Sequence, residues 1–494
     1  MLTKLLPNPS RRQINLLKVL EEHDGKKWMT KYEIAEKLNC SYKILETDVD
    51  HIEEKADYIK FTWARDAMDV SIDPNKGVQA YYRREFKESK VIRMLEVLFF
   101  YPKIDIYELA KRTDSSTSTM YRNIAAANKV LSEKYQISIS RQPFEIIGDE
   151  AEIRSFYHAF FMEKYTVQEW PFEDIDYHTV FNLVDTLLSK SAFELNMFRT
   201  RNSTIQLAVN LTRLKTNKYY HSEDAKIKDK NRKMFDLISG SLDPLLNKYN
   251  IEINDRTLLD LLYPYTNVNC LLSERQMFDL KSSEKYIYNS YEFLKQFIRQ
   301  MTEKFSLEVV DENSLILELH NAAYLNNINN TSQTFFTENT NTLINYVKEL
   351  NPEFDQYLQE ELSKYLELMT SETKDSKVRV MKESVYVHWE GLVEALLKRQ
   401  GEVSMLVVSD NERYHGEAVK SVLKSELPDR VSFEVYKEPE LDLELIKKSE
   451  HEIIVSTFPL KKLEGKEVIF VEGFPTFKEI QLVYKAVHGR LDSK

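Results

Sequence analysis

"YELAKRTDSSTSTMYRNIAAA", residues 107–127, repeats the frame of "YEIAEKLNCSYKILETDVDHI", residues 32–52, at a constant offset of 75 positions. Tyr32 pairs with Tyr107, Glu33 with Glu108, Ala35 with Ala110, Ser41 with Ser116, Leu45 with Met120 and Val49 with Ile124. A duplication of this kind predicts two copies of one structural unit. Each copy reads as a short helix with a small residue in its middle, a polar turn, a serine, and a second helix with apolar residues at i, i+4 and i+7. The alanine lets the second helix cross closely, and the serine oxygen satisfies an amide that would otherwise lack a partner at the helix start. That is the helix-turn-helix pattern. The β-rich stretches that follow, "YIKFTWARDAMDVSI" (58–72) and "QISISRQPFEIIGD" (136–149), each predict a hairpin wing.

In the second copy, Met120, Ile124, Ala127 and Leu131 share one helical face, which is expected to pack inward. Thr117, Ser118, Tyr121, Arg122, Ala125 and Lys129 lie opposite. Small side chains at the N-terminal end allow the backbone to approach a duplex, while Arg and Lys further along reach base edges or phosphates. The expected DNA contacts are therefore Ser116, Thr117, Ser118, Tyr121, Arg122 and Lys129, with Arg122 as the base reader. The equivalent helix of the first copy carries Glu46, Asp48 and Asp50, which would face phosphates unfavourably. Lys31 and Lys43 are expected to meet the DNA backbone there instead. Plain helix packing and a phosphorylated hydroxyl cluster at Ser115–Thr119 are the competing readings; the duplication with wings favours DNA.

The chain of 494 residues is 42% hydrophobic and 30% charged, with 10 Gly and 13 Pro, as expected for several folded domains with few low-complexity linkers. Cys40 and Cys270 have no neighbouring cysteine or histidine cluster, which argues against a disulfide framework and a Cys-type zinc site. The start lacks an apolar signal core and no segment reaches the length of a membrane span, so a cytoplasmic protein without membrane association is expected. Residues 1–150 carry 25 Lys+Arg against 24 Asp+Glu, and the remainder 43 against 55, within a total net charge of −11. This division suits a small nucleic-acid reader joined to a larger acidic body. Motifs for phosphate loops, metalloproteases, serine hydrolases and calcium loops are absent, so neither an enzyme nor a cofactor or metal is expected.

Residues 151–390 hold successive amphipathic helical patterns, such as "IRSFYHAFFMEKY" (153–165), "NSTIQLAVNLTRLK" (202–215) and "NTLINYVKELNPEFDQYLQEELSKYLEL" (341–368). From about 400, strand-like runs such as "EVSMLVVS" (402–409) and "EIIVST" (452–457) alternate with helices, predicting a small parallel sheet. The expected fold is multidomain and mainly α. Winged helix-turn-helix units occupy 1–85 and 86–160, all-helical domains 161–280 and 281–395, and an α/β domain 400–494.

This order of domains resembles the Mga/AtxA-type virulence transcription regulators of Gram-positive bacteria. The resemblance implies that the middle domains are phosphotransferase-system regulation domains (PRDs), in which a His of a His-Leu-x-x-x-Leu-x-Arg pattern accepts a phosphoryl group. Arg213 fits the pattern's Arg, but Gln206 stands at its His position; His320 takes the His position in the second domain, with Asn327 in place of the Arg. His320, read as an exposed imidazole, is thus the first phosphoacceptor candidate and His388, in "VYVHWEGLVEALL", the second.

The tail is similar to the IIB component of sugar phosphotransferase systems, with Ser409 at the apparent position of its reactive Cys. A hydroxyl is a poorer nucleophile than a thiolate, so contact or dimerisation is the expected role of the tail. His415 is a substitute acceptor of lower rank. The resemblance implies a DNA-binding activator whose partners are double-stranded DNA, a phosphotransferase-system phosphocarrier protein and further copies of the chain, as homodimer or higher oligomer. An RNA-binding antiterminator sharing the PRDs would require a β-rich RNA-binding domain at the front, and a phosphotransfer relay would require a competent acceptor in the tail.

Overall fold

In the computed structural model, which describes residues 2–21, 29–65, 67–73, 75–189, 191, 196–267, 269–328, 340–370, 375–398, 403–428 and 430–491, the 75-residue frame extends to backbone detail. Helices Lys31–Lys37 and Tyr42–Lys55 of the first copy correspond to Ile106–Arg112 and Thr117–Tyr135 of the second, starting at the same offset. Asn39 (φ 48°) and Asp114 (φ 46°) occupy the left-handed region in the two turns. Asn and Asp are among the few non-glycine residues that tolerate it. The reversal lets Cys40 N–H donate to the Ala35 carbonyl at 3.0 Å, and Ser115 N–H to that of Ala110 at 2.9 Å, ending each first helix. Ser41 and Ser116 then cap the second helices, accepting from the amides of Ile44 and Thr119.

Each turn carries a wing. Strands Ile59–Ala64 and Ala67–Ile72 pair antiparallel, and Met29–Thr30 joins the latter. In the second copy Ile137–Ile139 pairs with Ile146–Gly148, and Ile104 bridges Phe144. The hairpins follow the sequence expectation; Met29 and Ile104, again 75 apart, carry no periodic signal because so short a pairing has no alternation to read.

The described residues fall into two compact units. The first comprises those of Met1–Phe297, Asp311–Asn341 and Leu362–Val385, the second those of Ile298–Val310, Thr342–Glu361 and Tyr386–Lys494. In the first unit, helix Glu150–Lys164 follows the second wing directly and places an aromatic core: the rings of Tyr157 and Phe99 lie 4.4 Å apart, and those of Phe161 and Phe172 4.8 Å. Arg154 of that helix is fully buried. Its guanidinium donates to the Asp260 carbonyl at 2.7 Å, to Asp260 Oδ2 at 3.0 Å, to the Lys218 carbonyl at 3.1 Å and to Glu150 Oε1 at 3.0 Å. Arg213, on helix Met197–Lys215, donates to both oxygens of Glu150 at 2.9 and 2.7 Å. Burial pushes the Glu150 carboxyl upward in pKa, but Arg213 and Arg154 outweigh it and hold the group below its ordinary value. Asp260 is likewise held low against its burial, by His221, Arg154 and the amides of His221 and Tyr220.

In the second unit, strands Val403–Val408, Val431–Val435, Ile453–Ser456 and Glu467–Phe470 form a parallel sheet ordered second, first, third, fourth. Met405 and Val407 pack on one face with Val419, Leu423, Val483 and Val487, while Leu406 and Val408 pack on the other with Ile446 and Leu463. Burial on both faces explains why the first and third strands read as continuous apolar runs. Near the start of this unit, Trp389 Nε1 donates to the Glu308 carbonyl at 2.9 Å.

His158 is buried on helix Glu150–Lys164, its Nε2 3.3 Å from the Asn202 carbonyl, and burial lowers its pKa to about 4. The unfolded chain takes up this proton near pH 6.5 and the folded chain only near 4, so the stability tied to His158 is complete above 6.5 and declines as pH falls toward 4. His158→Phe is expected to flatten that part of the stability profile measured by urea unfolding between pH 7 and 4; an unaltered slope would refute the assignment.

Candidate nucleic-acid interface

On helix Thr117–Tyr135 the structure buries Met120, Ile124, Ala127, Leu131 and Tyr135, the inward stripe expected from the sequence. Ser116, Ser118, Tyr121, Arg122, Ala125 and Lys129 are exposed, with Thr117 half-buried. The wing is fastened to this helix by one amide. Asn128 Oδ1 accepts the Ile139 N–H at 2.7 Å, and its Nδ2 donates to the Ile139 carbonyl at 3.1 Å. Tyr121 leans toward wing residue Phe144, with ring centroids 6.1 Å apart. Thr119, absent from the sequence-derived set, joins two of its members: its hydroxyl lies 2.9 Å from Ser116 Oγ and accepts from Arg122 Nη2 at 3.4 Å. The i, i+3 spacing of 116, 119 and 122 was the available signal. At the start of the preceding helix Tyr107 is 77% exposed, as is its counterpart Tyr32 at 65%.

The first copy corrects one expectation. Asp48 does not face solvent beside Glu46 and Asp50: it is buried with Leu45, Val49 and Ile52, accepting from Arg12 Nη2 at 3.0 Å and Gln13 Nε2 at 3.2 Å. Position 48 falls on the inward stripe, and Arg12 makes a carboxylate tolerable there. Glu46 and Asp50 remain exposed. Of the two lysines, Lys43 is exposed, whereas Lys31 Nζ sits 4.2 Å from the centre of the Tyr42 ring.

His320, on helix Glu312–Ile328, is buried rather than presented as an open imidazole. Its Nε2 lies 2.8 Å from the Asn269 carbonyl and its Nδ1 2.8 Å from Ser290 Oγ, which lies 2.7 Å from Tyr365 Oη. A carbonyl only accepts, so Nε2 carries the proton and Nδ1 receives one from Ser290 when the ring is neutral. The adjacent Asn321 accepts the Leu271 N–H at 2.9 Å and donates to its carbonyl at 2.8 Å; Glu318 pairs with Arg199 at 2.5 Å. Three side chains of this helix thus hold the segment 269–271 and helix Met197–Lys215. His388 is half-buried at the end of helix Asp375–His388. Gln206 is buried and donates to Asn210 Oδ1 at 3.1 Å. Among the described residues, no group of three or more His, Cys, Asp or Glu could hold a metal ion, and no helix is long and apolar enough to cross a membrane.

Residues 74–161 match the Mga helix-turn-helix domain, and residues 176–392 match the M protein trans-acting positive regulator (MGA) PRD domain; together these cover more than half of the chain. The chain belongs to the Mga/AtxA-type transcription regulators. The chain of this Mga-type regulator is 28% identical over 497 residues to a Streptococcus pneumoniae serotype 4 protein named for trans-acting regulation, covering 99% of both chains. It is 23% identical over 504 residues to the capsule synthesis positive regulator AcpB of Bacillus anthracis, covering 95% of this chain and 96% of that one. It also matches AcpA of the same organism, at 26% over 171 residues, about a third of each chain. The matched helix-turn-helix span contains the second copy, with Thr117–Tyr135 and its wing.

Removing the Ser116 cap costs about 1 kcal/mol, so Ser116→Ala is expected to speed hydrogen exchange at the Thr119 amide roughly fivefold. Unchanged protection at Thr119 would show that the cap does not hold this helix start.

Proposed function

We propose that this Mga-type positive regulator binds duplex DNA through the second winged helix-turn-helix unit, with Arg122 reading a base edge and Ser116, Thr117, Ser118, Tyr121 and Lys129 placing the helix on the backbone. The observation that carries this is the exposed face of helix Thr117–Tyr135, capped at its start and fixed to its wing through Asn128. Lys31 and Lys43 of the first copy supply secondary backbone contacts. Binding of intact protein to promoter duplexes at several salt concentrations tests it. Arg122→Ala is expected to weaken binding by about 1–3 kcal/mol and to relax sequence preference at one position. Lys129→Ala is expected to lower the salt slope by about one unit with little change in preference. Equal binding by wild type and Arg122→Ala would overturn the assignment of the reading helix.

The PRD domain supports a link to phosphotransferase-system status, with His320 as the phosphoacceptor and His388 as the alternate. His320 lies behind the Asn269 peptide, so phosphorylation would require that segment to move away, and a dianionic phosphoryl group would then oppose its return. Incubation with a phosphohistidine-bearing phosphocarrier protein is expected to place acid-labile phosphate on the chain, lost in His320→Ala and retained in His388→Ala. The reverse pattern would transfer the role to His388. Exposed Phe474, Phe477, Leu482 and Tyr484 support self-association through the tail.

A further inference from the structure

The 75-residue frame repeats a tie between helix and wing. Asn128, on helix Thr117–Tyr135, accepts the Ile139 N–H at 2.7 Å and donates to the Ile139 carbonyl at 3.1 Å. Its counterpart Glu53, on helix Tyr42–Lys55, accepts the Phe61 N–H at 2.9 Å. In both copies the same helical position grips the first strand of the wing. A carboxylate only accepts, so Glu53 meets one group of the residue it faces, whereas an amide meets both. The second wing needs the fuller tie, because its strands are three residues long and a short hairpin has little stability of its own.

Ile139 ends that strand, and Ser140 braces the turn behind it. The Ser140 N–H donates to the Glu145 carbonyl at 2.8 Å, while its Oγ donates to the Pro143 carbonyl at 2.7 Å and accepts the Glu145 N–H at 3.1 Å. Arg141 stands on this braced turn, exposed and without a hydrogen bond or ion pair to any described residue. The wing runs back along the helix toward its N-terminal end, since Ile139 meets Asn128 while Phe144 meets Tyr121, about two turns earlier. Tyr121 belongs to the exposed face proposed to meet DNA, so the segment carrying Arg141 borders that face. The first wing ends in the same way: Arg65 is exposed between strands Ile59–Ala64 and Ala67–Ile72, at a φ of 56° that glycine or asparagine would adopt more readily. Arg65 aligns with Ser140 and not with Arg141 at the offset of 75, so the cation recurs at the tip without residue-for-residue inheritance.

We propose that Asn128 is a positioning residue for DNA binding and acts through Arg141: the amide fixes the wing so that the Arg141 guanidinium meets a backbone phosphate beside the bases read from helix Thr117–Tyr135. This rests on the reading of that helix as the DNA-facing one. The fork of donors on a guanidinium matches phosphate oxygens, but only when the cation arrives at a fixed distance from the other contacts. Without the tie the hairpin keeps its bridge from Phe144 to Ile104, while its tip is no longer held to the helix. Ordering the tip then opposes each binding event.

The test is a double-mutant cycle in the intact chain, with a duplex that the wild type selects from a randomised pool, titrated at several salt concentrations. Arg141→Ala is expected to weaken binding about fivefold at physiological salt and to lower the salt slope by about one unit, the loss of one phosphate contact. Asn128→Ala is expected to lose the same amount, and to lose nothing further when residue 141 is already alanine. Base preference at the position assigned to Arg122 should match wild type in all three. Hydrogen exchange at the Ile139 amide should quicken in Asn128→Ala while that at the Thr119 amide holds, which marks a local release and not a loss of fold. Full binding by Arg141→Ala would overturn the contact. Full binding by Asn128→Ala, or an equal loss from it with and without Arg141, would overturn the positioning role. Weakened binding by Arg141→Ala beside full binding by Arg122→Ala would support the wing contact and overturn the reading helix, so the two failures are distinct.

Discussion

Arg154 is the charge around which the first unit is arranged. A fully buried guanidinium is tolerated only when its donors are met and its charge is balanced. Here Glu150 and Asp260 supply the balance, and two backbone carbonyls take two further donors. Glu150 is shared with Arg213, so one carboxylate joins the helix that leaves the wing to helix Met197–Lys215. Gly148 makes the entry possible: its φ of 146° and the 2.9 Å that a Cβ would leave to Ile137 Cγ2 exclude other residues from the last strand position before that helix. A second tie runs from the wing itself, where Glu145 pairs with Lys218 at 3.1 Å. The second winged unit and the helices that follow it in this Mga-type regulator are therefore joined by charge pairs at this point.

The two winged units show how a duplication keeps a backbone while changing its surface. Turn conformation, caps and wing pairing are preserved because each is a requirement of the chain path. The second helices of the two units differ where the path makes no demand: Glu46 and Asp50 stand exposed in one copy, Tyr121, Arg122 and Lys129 in the other. Asp48, whose counterpart is Asn123, went inward with Arg12 and Gln13. A carboxylate in a sequence is thus not evidence of a surface charge until its partner is known.

The same lesson applies to the histidines. Resemblance to the PRD pattern placed weight on His320, and the structure encloses that ring between Asn269 and Ser290 while Asn321 and Glu318 pair on either side of it. The helix that carries the candidate also holds the segment 269–271, so its chemistry and its packing are the same question. In the tail, Ser409 Oγ stands 2.9 Å from His415 Nδ1, an approach across helix–strand packing that Gly416 allows.

The sequence alone determined the elements that rest on neighbours: the 75-residue frame, the serine caps, the hairpin wings, the inward stripe at Met120, Ile124, Ala127 and Leu131, and the change to a parallel sheet near residue 400. These depend on interactions within a few residues, so their residue types and spacing lie side by side in the chain. Partnerships across long separations, by contrast, are set once the chain has folded. Arg154 meets Asp260 106 positions away, His320 meets Asn269 51 positions away, and Asp410 meets Thr457 47 positions away. No local pattern encodes such a meeting, because it is set by how whole helices and strands cross, and the charge or hydrogen bond that results then fixes whether a polar residue is a surface group, a structural tie or a reactive one.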